Sequence, residues 1–139
     1  DARVMTAIGV NEVAEPFIRL KAFKHLSRNR IVILAAGTGN PFSTTDTAAA
    51  LKAKELNCDL IIKATKVDGI YNKDPKYENA VKYNKINFMQ AIEQKLEVMD
   101  MTAFTMCQEF NIPIIVCNVM GDNNLKEIAE GQNVGTIVC

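Results

Sequence analysis

Three nearly unbroken apolar runs constrain this chain more than anything else in it. They are Arg30–Ala35 (R-I-V-I-L-A), Asp59–Ala64 (D-L-I-I-K-A) and Ile112–Cys117 (I-P-I-I-V-C). A strand with one wet face alternates apolar and polar residues; a continuous run implies cover on both faces, as in a parallel sheet flanked by helices. Helical patterns fall between the runs. Pro16–Ser27 comes first, with Pro16 suited to a first helical turn and Ile18, Ala22 and Leu26 on one stripe. Thr45–Leu56 follows, with Ala49, Ala53 and Leu56 on its apolar side, and then Phe88–Lys95 and Thr102–Phe110. Leu125–Glu130 is closed by Gly131, a residue suited to the left-handed position after a helix. A short strand, Gly135–Val138, is expected at a sheet edge. This alternation predicts an α/β fold, a three-layer αβα sandwich with a mainly parallel sheet and right-handed crossovers.

Composition narrows the functional classes. The chain has 139 residues, 48% hydrophobic and 23% charged, the profile of one globular domain or part of one, without repeat or linker. It starts at Asp1 rather than Met, as expected of a processed or partial chain. Sixteen basic residues balance sixteen acidic ones, which removes the electrostatic case for nucleic acid or an anionic membrane surface. No apolar run approaches the roughly 18 residues of a membrane span. Cys58, Cys107, Cys117 and Cys139 lack zinc-type spacing, and buried free thiols are expected. The one histidine, His25, is expected to be solvated on the first helix.

In open α/β sheets ligands bind beyond the carboxyl ends of the strands. The first run leads into A-G-T-G-N-P-F-S-T-T-D, residues 36–46. Its glycines permit close backbone approach, and Thr44 and Thr45 offer hydroxyls where a helix begins, a place suited to phosphate. A plain turn with Thr44 as N-cap accounts for part of this pattern. The surplus of Gly37, Gly39, Asn40 and hydroxyls favours a ligand. The second run ends in Lys63 and continues into Asp68–Asn84, the longest polar stretch, which is either a solvated loop or a functional one. Asp100, before the fourth helix, reads as an N-cap, and Met99, Met101 and Met106 as core fillers.

Taken together, A-A-G-T-G-N-P-F (35–42), T-T-D-T-A-A-A (44–50), K-A-T-K-V-D-G-I-Y (63–71), K-D-P (73–75), V-M-D (98–100) and T-A-F (102–104) resemble the bacterial UMP kinases of the amino acid kinase fold family. The resemblance implies transfer of the γ-phosphoryl of ATP to UMP with Mg²⁺, in a cytoplasmic homo-oligomer of hexameric type. It places UMP against Thr38, Gly39, Asn40, Pro41, Phe42, Ser43, Thr44 and Thr45, and ATP against Thr65, Tyr71 and Asp74. Asp46 is given a catalytic role, orienting a lysine or helping to place Mg²⁺, and no metal ligand is assigned. Ser43 stands where the family usually has a second aromatic. Residues 1–139 correspond to the nucleotide-binding C-terminal portion; the family's N-terminal half, with further cationic and glycine-rich elements, is not in this sequence. The isolated segment is therefore expected to be inactive. An aspartate- or glutamate-type kinase of the same family, or a non-catalytic nucleotide-sensing module, remains the alternative.

Overall fold

Apolar residues come in two sets, and each builds its own sheet in the computed structural model, which describes residues 1–139. In the first, β1 (Ala2–Thr6) is flanked by β2 (Glu15–Pro16) and β3 (Ile31–Ala35), all parallel, with Met5 opposite Leu34 and Glu15. The second has four strands in the order β4 (Ile61–Thr65), β6 (Ile114–Asn118), β7 (Thr136–Val138), β5 (Lys85–Ile86). Strand β6 runs parallel to β4 and antiparallel to β7, which is parallel to β5. The expected single sheet is thus two, dominated by parallel pairs. Strand β7 is internal rather than at an edge.

Five helices complete the α/β fold: α1 (Arg19–Leu26), α2 (Thr45–Glu55), α3 (Phe88–Glu93), α4 (Met101–Phe110) and α5 (Asn124–Ala129). Their ends follow local chemistry. Thr44 and Asp100 cap α2 and α4 through side-chain oxygens, and Asn87 with Gln90 forms a capping box on α3. Gly131, at φ +82°, follows α5 in the left-handed conformation foreseen for it. Helix α1 starts three residues later than the sequence suggests. Pro16 pairs with Thr6 in β2, so the chain stays extended through Ile18 and only Ala22 of the expected stripe is buried.

The four-stranded sheet is covered on both faces. Ile61, Ile114, Val116 and Val138 meet α2, α3 and α4, while Ile115 and Cys117 meet Ile128 of α5. Every residue of β6 from Ile114 to Cys117 is buried. The three-stranded sheet is covered on one face only, where Met5, Ala22 and Leu56 pack with Val32 and Leu34. On its other face Val4, Ile31 and Ile33 are 42%, 69% and 49% exposed, so the continuous apolar run of β3 is not covered twice here. Helix α2 belongs to both cores: Ala50 and Ala53 enter the larger one, and Leu56 at its end enters the smaller. Ala53 and Leu56 are buried as expected, whereas Ala49 is exposed and Ala48 and Ala50 are buried in its place.

Two further expectations are corrected. Cys107 and Cys117 are buried, whereas Cys58, just after α2, and Cys139, the last residue, are exposed. His25 is only 13% exposed: its Nε2 lies 3.3 Å from Glu15 Oε1 and its Nδ1 3.2 Å from Arg30 Nη1, joining α1 to the strand ends. No helix is long and apolar enough to cross a membrane.

Candidate functional site

The loop after β3 turns through left-handed backbone at Ala36, Gly37 and Gly39. At Gly39 this is enforced twice, because a Cβ there would fall 3.0 Å from the carbonyl oxygen of Ala7. Residues 36–41 and 43–45 bound an open cleft of about 620 Å³ with Ile8 on its rim. Thr38, Gly39, Asn40, Pro41, Ser43, Thr44 and Thr45 therefore stand together. Phe42 does not: its backbone is left-handed and its side chain is fully exposed, outside the cleft lining. Thr38 braces the loop by accepting from the Asn40 amide. The Thr44 hydroxyl is committed to the fold, accepting from Thr47 N–H at 3.0 Å and donating to Asp100 Oδ2 at 2.5 Å. The Thr45 hydroxyl makes no such bond, and the first amides of a helix have no intrahelical acceptor, so this end of α2 offers donors to an anion.

Asp46, in the first turn of α2, joins three elements. One carboxylate oxygen takes the ammonium of Lys63 from β4, and the other accepts, at 3.4 Å, the amide of Asp100 at the start of α4. Asp100 caps α4 through Ala103 N–H at 3.0 Å while receiving the Thr44 hydroxyl. Burial alone would raise the Asp100 carboxyl. The Thr44 hydroxyl, the Ala103 and Thr102 amides and the Lys63 charge outweigh it and hold the group below the usual carboxylate range. The Cys107 thiol behind this cluster is pushed up to about 11, first by burial and then by the Asp46 charge, so it stays a neutral packing group.

Beyond β4, residues 70–83 form a hairpin with Tyr71 bridged to Lys82 and Tyr83 N–H bonded to Ile70 O at 2.9 Å. With Thr65, Val98 and Val116 it lines a second cleft of about 410 Å³, and this cleft brings Thr65, Tyr71 and Asp74 together. Thr65 closes its own turn with Val67, and Asp74 accepts from Lys76 N–H, each holding backbone at the rim. Asp68 organises the hairpin: it receives the Tyr71 phenol at 2.8 Å and the Lys82 ammonium at 3.1 Å.

That pairing has a pH signature. The Tyr71 hydrogen bond, aided by Lys82 and opposed by burial, holds Asp68 below its ordinary range, and the same bond holds the Tyr71 phenol up. The Asp68 share of stability is present above the ordinary carboxylate value of about 3.9 and is lost as pH falls through the depressed one. The Tyr71 share is present below about 10 and is lost as pH rises through its raised value. We expect Asp68→Asn to bring Tyr71 ionisation back towards the ordinary tyrosine value of about 10, followed by NMR of ring-labelled tyrosine. Identical Tyr71 titrations in the two proteins would refute the pairing.

The amino acid kinase family model matches residues 3–118, which takes in both clefts and the Lys63–Asp46–Asp100 cluster. The chain belongs to the amino acid kinase family. Among solved structures it is similar to a UMP kinase from Bacillus anthracis, at 40% identity and TM-score 0.95, over 99% of this chain and 57% of that one. It is also similar to a UMP kinase from Ureaplasma parvum, at 35% and 0.93, over 99% of this chain and 60% of that one. A uridylate kinase from Archaeoglobus fulgidus matches at 32% and 0.68, over 89% and 59%. The chain thus spans less than two thirds of the length of these relatives. Within this amino acid kinase segment, the sequence assigns Asp100 only a capping role and Asp68 only the start of a polar stretch. Their partners lie 56 positions away for Thr44 and 14 for Lys82, and no local pattern announces them.

Proposed function

We propose that this chain is the nucleotide-binding C-terminal portion of a UMP kinase, which transfers the γ-phosphoryl of ATP to UMP and releases UDP and ADP. One observation carries the reading: two clefts, one after β3 and one after β4, share a single charged junction. Asp46 adjoins Thr44 and Thr45 of the first cleft. Lys63 precedes Thr65, and Asp100 follows Val98, of the second. UMP lies along residues 38–41 and 43–45 with its phosphate at the start of α2, and ATP lies against the hairpin. The Lys63 ammonium, oriented by Asp46, faces the phosphoryl group between them. Phosphoryl transfer depends mainly on positioning and charge neutralisation, and no side-chain nucleophile is called for.

No three His, Cys, Asp or Glu side chains gather into a ready metal cluster. Mg²⁺ is commonly held by substrate phosphates with one or two carboxylates, and Asp46 and Asp100 are the carboxylates beside the junction. Held there, it would supply charge neutralisation for the moving phosphoryl group. A cytoplasmic homo-oligomer of hexameric type belongs to the same reading.

The test is a coupled assay for ADP with the complete polypeptide, offering UMP, CMP, AMP, aspartate and glutamate as acceptors. UMP should be preferred, and preference for an amino acid would overturn the reading. In the same assay Thr45→Val should raise the UMP KM about 10- to 100-fold, the cost of one hydrogen bond to a charged phosphate, with the ATP KM nearly constant. Unchanged UMP KM and kcat would remove Thr45 from the acceptor site.

A further inference from the structure

One buried hydroxyl lies outside everything assigned so far. Thr136, in β7, is fully buried, and of the buried side chains only it and Thr6 are polar. Its Oγ1 accepts the Ile70 amide at 2.9 Å and donates to the Tyr83 carbonyl. Ile70 and Tyr83 are the two residues at the base of the hairpin that walls the second cleft. They are already joined by the Tyr83 N–H to Ile70 O bond, so the hydroxyl satisfies the Ile70 amide and the Tyr83 carbonyl that this bond leaves over.

The surroundings are shaped around that oxygen. Gly69 lies so close that a Cβ would sit 2.6 Å from Thr136 Oγ1. Gly135 has φ +81°, and a Cβ there would collide with the Val116 carbonyl, so glycine lets β7 run tightly against β6. Val116 stands opposite Thr136 in that ladder and itself lines the second cleft. A buried donor and a buried acceptor left unpaired are both costly, so loss of this hydroxyl cannot be absorbed locally without opening the hairpin base.

We propose that Thr136 is a positioning residue for the phosphoryl donor: its hydroxyl pins the base of hairpin 70–83 and so holds Tyr71 and Asp74 where a nucleoside triphosphate binds. The inference rests on the donor and acceptor division proposed above. It is a neutral clamp, independent of pH in the range where the protein is folded, and it acts on the donor cleft without touching the acceptor loop.

The experiment compares Thr136→Val, which keeps the shape and loses the hydroxyl, with Thr136→Ser, which keeps the hydroxyl, in the complete polypeptide. Three quantities are read: ATP affinity by calorimetry, UMP affinity by the same method, and amide hydrogen exchange of residues 70–83. Thr136→Val should weaken ATP about tenfold or more and speed exchange in the hairpin to a similar degree, with UMP affinity retained. Thr136→Ser should restore both. If the valine variant does not fold, Thr136→Ala takes its place with the same expected order against serine. Unchanged ATP affinity in a folded Val or Ala variant overturns the proposal. So does equal impairment by serine, which would assign the effect to methyl packing, or equal loss of UMP affinity, which would make it global. If the unaltered protein binds no ATP, the proposed function fails instead, and hairpin exchange alone decides whether the clamp exists.

Discussion

Lys63→Met should lower kcat on the order of 10³-fold in the complete polypeptide, the scale for removing a cation placed against a transferring phosphoryl group. KM for either nucleotide should move far less, because the clefts are built from the loop after β3 and from hairpin 70–83. Methionine keeps the stem of the side chain and deletes only the ammonium. A purely structural role for the Lys63–Asp46 pair predicts something different. Losing one partner leaves a half-buried carboxylate unpaired, and Asp46→Asn would then relieve the defect. The double variant separates the two roles: its thermal stability should recover while kcat stays low. Recovery of kcat along with stability would show that Lys63 only holds Asp46 in place.

The second large effect concerns the open face of the three-stranded sheet. Residues 1–139 alone should show essentially no UMP-dependent ADP formation and should self-associate, because Val4, Ile31 and Ile33 present a contiguous apolar strip on a sheet covered elsewhere. The relatives are longer than the matched segment, 57% and 60% of their chains being covered, which leaves ample chain to lie on that strip. Ile33→Lys gives a crossed test. In the isolated segment the lysine should reduce self-association, measured by sedimentation; in the complete polypeptide it should lower the Tm, because it buries an unpaired charge. A rise or no change in both settings would mean that the strip stays solvated in the whole protein. Turnover by the isolated segment within about tenfold of the complete polypeptide would show that no further cation is needed for the transfer step.

What the sequence disclosed follows from how local each signal is. Strands β3, β4 and β6 announced themselves as unbroken apolar runs, and α2 and α4 as periodic segments behind a capping Thr44 and Asp100. Strand β1 escaped notice because Arg3 interrupts it, and β2 and β5 because two residues carry no pattern. The separation into two sheets was invisible for another reason: β3 has the same composition whether its second neighbour is β4 or a segment from elsewhere. Both clefts were legible as clusters of glycines, hydroxyls and turn residues, since a loop that cradles a ligand needs those types side by side. Phe42, grouped with them by proximity in the chain, is turned to solvent by its own left-handed backbone. The long-range contacts that brace the clefts were not legible. Lys63 with Asp46, Thr44 with Asp100 and Thr136 with Ile70 span 17, 56 and 66 positions, and each member has an adequate local explanation by itself.

Helix α2 has its feet in two cores, and this makes it a lever. Its 11 residues give an arm of about 16 Å from Leu56, seated in the smaller core, to the threonines at its far end. A tilt of about 5° around that seat sweeps the far end by roughly 1.4 Å, given this arm length. A displacement of about 1 Å at a reacting centre is enough to cost on the order of 10²-fold in rate. Any rocking of the three-stranded sheet against the four-stranded one is therefore converted, without a separate moving part, into a change in the gap between the two clefts.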